Sequence, residues 1–191
     1  MSNIILASKS PRRKELIEKI GIEDYKIIEA DIDETPPPVS VPWQTVCYIA
    51  LQKARDVSRR CKKDDIIIAA DTMVAIDGSM LGKPASEDEA FSMLSIMSGM
   101  WHEVVTGVVV KKGETEIVEY ESTKVKFREL EPEEIESYIA TGSPMDKAGA
   151  YGVQDIAALF VERIEGDYYN VMGLPLHRLG LMLKEVGVRL L

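Results

Sequence analysis

Ile4-Ile5-Leu6-Ala7-Ser8-Lys9-Ser10-Pro11-Arg12-Arg13 begins as a short apolar run and stops at a polar, cationic corner. The run reads as a buried strand, and the residues after it as a helix over about Pro11–Ile20 closed by Gly21. Ser10 has the chemistry of an N-cap. Pro11 suits the first helical position, where an amide hydrogen would have no partner. The orphan amides of that first turn share a small volume with the hydroxyls of Ser8 and Ser10 and the cations Lys9, Arg12 and Arg13. Such a volume attracts phosphate. A basic, capped surface helix would account for Ser10 and Pro11 equally well, but less well for the crowding around them.

Working outward, Tyr25–Ala30 reads as a short strand. Asp31-Ile32-Asp33-Glu34-Thr35 and the prolines Pro36–Pro38 form a loop that cannot be regular structure. Pro42–Arg60 has helical periodicity through Val46, Ile49, Ala50, Lys53 and Val57, with Lys53 placed to project from one end of the apolar face. The β-branched run Ile66–Ala70 predicts a buried strand that empties into Asp71-Thr72. Asp77-Gly78 marks a hairpin turn closed by Lys83-Pro84. Ser86–Met97 predicts a capped helix with Glu89 at the capping-box position. His102–Lys112 and Glu116–Arg128 alternate as two antiparallel strands around Lys112-Gly113. Glu133–Thr141 reads as a helix ending at Gly142, Ala157–Ile164 as a strand and Gly173–Val186 as a last helix. Between them, residues 146–154 carry too many glycines for a stable helix. The expectation is one α/β domain over residues 1–191 with a partly antiparallel sheet. A doubly wound parallel sheet is disfavoured, because the first strand–helix turn lacks a G-x-G fingerprint.

At 191 residues, 46% hydrophobic and 29% charged, the chain can bury a real core as one domain, with or without two lobes. No apolar stretch approaches the ~20 residues of a membrane span, and no signal-peptide core precedes the first charges. Cytoplasmic residence is the default expectation. The net charge of −9 argues against general nucleic-acid binding. It still permits a small polyanionic substrate if cations gather locally, as at residues 9–13 and at Lys53, Lys83 and Lys147. Cys47, Cys61, His102 and His177 have no metal-type spacing, so neither a zinc site nor a disulfide framework is expected.

Asp71 is the first carboxylate to single out. It ends an otherwise apolar strand, where a charge is costly unless paired, and strand ends in α/β folds are where sites form. Capping of the next turn through Thr72 is the alternative. Asp31, Asp33 and Glu34 could be mere solubilising loop residues, or could complete a Mg²⁺ site of hard oxygen ligands. Lys53 and Lys83 read as a helix lysine and a turn lysine, the latter fixed by Leu81-Gly82-Lys83-Pro84. His102, opening a strand, is either a hydrogen-bonded structural group or a base.

Six motifs in order resemble the Maf family of nucleoside triphosphate pyrophosphatases: Ser8-Lys9-Ser10-Pro11-Arg12-Arg13, Ala70-Asp71-Thr72, Leu81-Gly82-Lys83-Pro84, Ser98-Gly99 with His102 and Thr106-Gly107, Asp146 through Gln154, and Asn170 through Pro175. The Ala148-Gly149-Ala150-Tyr151-Gly152-Val153-Gln154 run is similar to the branch acting on dTTP and UTP. Lys9 stands where the family often has Gly or Asn, and Val153 where Ile is frequent. The resemblance implies a fold like that of the inosine triphosphatases: a long curved mixed sheet with helices, in two lobes around a central cleft. It implies Asp71 as proton acceptor and Arg12, Thr72 and Gln154 as specificity determinants. Ser8, Ser10, Arg13, Lys53, Lys83 and Glu34 would contact phosphate or metal, with Asp71 and Glu34 holding a divalent cation, Mg²⁺ or Mn²⁺. It implies a nucleoside triphosphate as partner and a homodimer as assembly. A non-catalytic nucleotide-binding regulator of cell division and a general phosphatase are the competing classes.

Overall fold

The opening apolar run becomes the strand β1 (Ile4–Leu6), which lies parallel to β2 (Tyr25–Ile27) on one side and β3 (Ile66–Ile76) on the other. Ile5 stands opposite Lys26 and Ile67. The computed structural model describes residues 3–35 and 41–191, so the prolines Pro36–Pro38 lie outside the described residues. The remaining elements are α1 (Pro11–Lys19), α2 (Pro42–Ser58), β4 (Ser79–Leu81), α3 (Glu87–Met97), β5 (Trp101–Lys112), β6 (Thr115–Phe127), α4 (Pro132–Ile139), β7 (Val161–Glu165), α5 (Tyr168–Met172) and α6 (Leu176–Glu185). Among the described residues one mixed sheet runs β2-β1-β3-β5-β6-β7, with β4 paired to β3. The β3–β4 and β6–β7 pairs are antiparallel, as a partly antiparallel α/β sheet requires. No helix of the described residues is long and apolar enough to cross a membrane.

The core that matters for the site lies where α2 covers the sheet. Val46, Ile49, Ala50, Lys53, Ala54 and Val57 recur every three to four residues and are all buried. Ala50, Ala54 and Val57 pack with Ile5, Ala7, Ile67, Ala69 and Val109. Burial of each Ile or Val in that cluster contributes about 1.5–3 kcal/mol. Helix and sheet approach closely because one strand residue has no side chain. A β-carbon on Gly107 of β5 would lie 2.5 Å from the Val46 carbonyl carbon and oxygen and 2.6 Å from the Cys47 nitrogen.

Several expectations change in the folded chain. β3 does not end at Asp71; it continues through Thr72 to Ile76 before turning at Asp77 (φ 47°) and Gly78 (φ 78°) into β4. The left-handed pair fits a tight hairpin turn, as Asp-Gly predicts. Ser86 caps α3 by accepting from the Glu89 N–H at 3.1 Å, but the Glu89 carboxylate reaches past Ser86 to the Ala85 N–H at 2.7 Å. The strand expected over Ala157–Ile164 is shorter, because its first residues belong to a 3-10 turn over Ile156–Phe160. The Asp155 side chain accepts from the Ala157 N–H, and β7 starts only at Val161. The last helix begins at Leu176 instead of Gly173, with the extra short helix α5 before it.

The chain divides into two units. One takes in the described residues of Met1–Asp71 together with Thr106–Glu121 and Gly173–Leu191; the other comprises Thr72–Val105 and Ser122–Met172. One of the four boundaries falls between Asp71 and Thr72.

Candidate active site

In the first unit, period-two alternation puts Ile67, Ala69 and Asp71 on one face of β3, the face that α2 covers. Lys53 sits on the apolar face of that helix. Its stem is therefore buried with the alanines, and its ammonium arrives where the apolar face of β3 gives way to a carboxylate. Lys53 Nζ lies 2.8 Å from Asp71 Oδ1 and 3.0 Å from Glu34 Oε1. Lys53 and Asp71 are both 8% exposed, whereas the Glu34 side chain is 57% exposed. A charge inside an extended strand is thus tolerated because a cation 18 residues earlier meets it.

Burial pushes the Asp71 carboxyl above the usual carboxylate range, and Glu34 pushes in the same direction; Lys53 and Arg13 pull it back. A partly desolvated carboxylate with a raised pKa is a stronger base than a solvated one. Burial lowers the Arg13 guanidinium, an effect opposed by Asp71 and reinforced by Arg12.

The strand-to-helix corner holds Arg13 crosswise. Its Nη1 donates to Ser8 Oγ at 3.3 Å and its Nε to the Gly173 carbonyl at 2.8 Å. Ser8 Oγ also accepts from the Ser10 N–H at 3.2 Å, and Ser10 Oγ accepts from the Arg13 N–H at 3.5 Å, so Ser10 is the N-cap expected of it. Arg12 is half-buried in the same first turn. Lys9 leaves the cluster: its ammonium pairs with Glu29 at 3.0 Å on the exposed surface. Asp33 is occupied by its own loop, accepting from the Thr35 N–H at 2.9 Å and hydroxyl at 2.6 Å. Asp31 uses its N–H on Asp56. Of the three loop acids, Glu34 is the one that reaches Lys53.

The second unit carries Thr72, Lys83, Lys147 and Gln154. Thr72 is half-buried, and Lys83 and Gln154 are exposed. The Gly149 N–H donates to the Gly82 carbonyl at 2.9 Å, tying the Lys83 turn to the glycine-rich loop. Lys147 does not offer its charge outward. It is 8% exposed and bonded to Ser143, Asp146 and Asp155, so the expectation of a phosphate-seeking cation fails there. His102 is buried. Its Nε2 lies 2.8 Å from Tyr151 Oη, its ring stands edge-on to Phe127 and Tyr151, and burial lowers its pKa to about 4. It is a structural group within an aromatic cluster.

The described geometry therefore supplies a buried carboxylate held by a lysine, a second carboxylate on the same ammonium, and a fixed arginine beside a helix start. That set can bind an anion and accept a proton. The Maf-like protein family model matches residues 3–186. This chain belongs to the Maf-like family. Its Maf-like relatives include the dTTP/UTP pyrophosphatase of Caldicellulosiruptor bescii, 46% identical over 100% of this chain and 98% of the relative. The dTTP/UTP pyrophosphatase of Symbiobacterium thermophilum is 48% identical over 98% of this chain and 95% of its own. Among solved structures, the Staphylococcus aureus Ham1 protein overlaps 66% of this chain and 72% of its own at 14% identity and a TM-score of 0.47. Two partners of the candidate residues, one in each unit, carried no signal in the sequence. The Gly173 carbonyl that fixes Arg13 lies within the Asn170–Pro175 motif, but a backbone acceptor leaves no residue-type signal. Asp155 follows the glycine-rich motif directly, and a single acid there is indistinguishable from a solvated one.

Proposed function

We propose that this chain is a nucleoside triphosphate pyrophosphatase that hydrolyses dTTP and UTP to the monophosphate and pyrophosphate, in a nucleotide-pool house-cleaning role. Support comes from end-to-end similarity to proteins of that name. The observation that carries it is Lys53 held between Asp71 and Glu34. A purely nucleotide-binding protein has no use for a desolvated carboxylate whose basicity burial has raised.

In this reading Arg12, Arg13, Lys53 and Lys83 hold the triphosphate, with Ser8 and Ser10 shaping the corner. Phosphoryl transfer needs mainly positioning and charge stabilisation. Water attacks the α-phosphorus, its proton passes to Asp71, and the bond to the bridging oxygen breaks with pyrophosphate leaving. Lys53 keeps the Asp71 carboxyl oriented and ionised until it takes that proton. Asp71 and Glu34 would also hold a divalent cation, Mg²⁺ or Mn²⁺, because the two carboxylates that share the Lys53 ammonium are hard-oxygen donors close to one another. Among the described residues no three acid, His or Cys side chains cluster for a metal, so substrate oxygens and waters would fill the remaining positions. Such a cation, when bound, supplies charge neutralisation on the phosphates.

Gln154, with Arg12 and Thr72, reads the base. Uracil and thymine present an acceptor at O4 beside an N3–H donor, and one carboxamide answers both. Cytosine inverts the pattern and leaves the amide mispaired, at about 1–3 kcal/mol per unsatisfied group. The test is to incubate the protein with each NTP and Mg²⁺ or Mn²⁺, with and without chelator, and identify the products. Pyrophosphate from dTTP and UTP is the expected result. Orthophosphate would mean a general phosphatase, and binding without turnover a regulator.

A further inference from the structure

The Gln154 side chain is exposed, yet its backbone is flanked by buried Val153 and by Asp155, whose carboxylate is saturated. Asp155 Oδ1 accepts from the Ala157 N–H at 3.0 Å and lies 3.4 Å from the Tyr138 hydroxyl; Oδ2 accepts from the Ser143 hydroxyl at 2.9 Å. Lys147 faces Oδ2 at 3.3 Å. The same ammonium donates to the Ser143 carbonyl at 2.5 Å, the Ser143 hydroxyl at 3.2 Å and Asp146 Oδ1 at 2.8 Å. Three ammonium protons are thus shared among four oxygens of one loop, with none left over for a phosphate.

The backbone is built around this lysine. A β-carbon on Gly152 would lie 2.6 Å from Lys147 Cε and 2.9 Å from Cδ, so glycine there leaves room for the stem. Gly149, at φ 67°, makes room for Val74 in the same way, its absent β-carbon falling 2.6 Å from Val74 Cγ2. The glycine-rich stretch is therefore wrapped around an internal cation, and Gln154, two residues beyond Gly152, is exposed.

We infer that Lys147 is a positioning residue for base selection: through Asp155 it clamps the loop that carries Gln154, and it does not contact the triphosphate. This rests on the reading of Gln154 as the base-reading side chain. A loop gathered around one internal cation loses aim when that charge is removed, and an ångström of misplacement suffices to erode discrimination.

The experiment compares Lys147→Met, Asp155→Asn and Gln154→Ala with the parent protein on dTTP and CTP in one assay. Lys147→Met retains an unbranched stem against Gly152 without the charge. It is expected to raise KM for dTTP more than it lowers kcat and to reduce the dTTP-over-CTP preference about tenfold. Amide exchange of residues 152–157 should accelerate in the same variant, a readout independent of turnover. If kcat drops equally for both nucleotides while the preference and the exchange stay unchanged, Lys147 serves the phosphates and the inference is overturned. Should Lys147→Met fail to fold, Asp155→Asn decides on the same measurements. Gln154→Ala separates the two levels: an unchanged preference there removes the base-reading role itself. A preference lost in Gln154→Ala but intact in the two clamp variants removes only the clamp.

Discussion

Lys53 and Asp71 stand 18 residues apart in sequence and 2.8 Å apart in the fold. The contact follows from two periodicities that meet. A helical face repeating every three to four residues carries the lysine, and a strand face repeating every two carries the aspartate. Because the pair is almost dry and Glu34 is largely exposed, Lys53–Asp71 dominates the energetics of the trio and Glu34–Lys53 contributes little to stability. Lys53→Met is expected to destabilise by about 3 kcal/mol, since it strands a buried carboxylate. Urea denaturation near neutral pH measures this. Glu34→Gln should leave the midpoint nearly unchanged.

Asp71→Asn conserves shape while removing the proposed base. Turnover of dTTP should fall by about 10²–10⁴-fold with the fold intact by circular dichroism, in line with what proton transfer contributes. Undiminished turnover would remove Asp71 from the chemistry.

The acid limb of the pH–rate profile should lie above the ordinary carboxylate range, because burial raises the Asp71 pKa and the proposed base acts only when ionised. The rate rises with pH through that value. The stability contribution has the opposite sign: between the ordinary 3.8 and the raised folded value the native state binds more protons, so this group's contribution declines as pH climbs. Rate and denaturation profiles measured side by side test both signs.

His102 acts in the other direction. Burial lowers its pKa from 6.5 to about 4, so the unfolded chain binds the extra proton between those values. Stability should be lost as pH falls through that window, by up to about 3 kcal/mol for the full shift. In His102→Gln that loss should vanish from the urea midpoints, while the Tyr151 contact can still be made.

The sequence made the start of the fold legible because its signals are local. Ser10-Pro11 begins α1, Asp77-Gly78 turns β3 into β4, and the apolar periodicity of α2 places Lys53 on the buried face. Long-range features were not legible. Asp71 reads as the end of a strand until its counter-ion on α2 is seen, for nothing nearby in sequence neutralises it. Residues Ile156–Phe160 look like strand because they are apolar, yet Ile156 and Leu159 are exposed and Asp155 captures the turn's amide. Helix α5 hides in Tyr168-Tyr169-Asn170, poor helix formers, where the Asn170 amide bonds the Val104 carbonyl and the Thr123 hydroxyl. Lys147 shows only a positive charge in sequence; that the charge faces inward depends on a loop wrapped around it.

Gly107 carries no side chain, and its bare α-carbon governs how far α2 stands from β5. One added methyl would wedge the helix outward near its beginning, and the displacement would be carried along a rigid rod to Lys53, nearly two turns further on. A hydrogen atom where other residues keep a carbon thus acts as the shim for the Lys53–Asp71 pair, and a lesion there would masquerade as damage to the carboxylate.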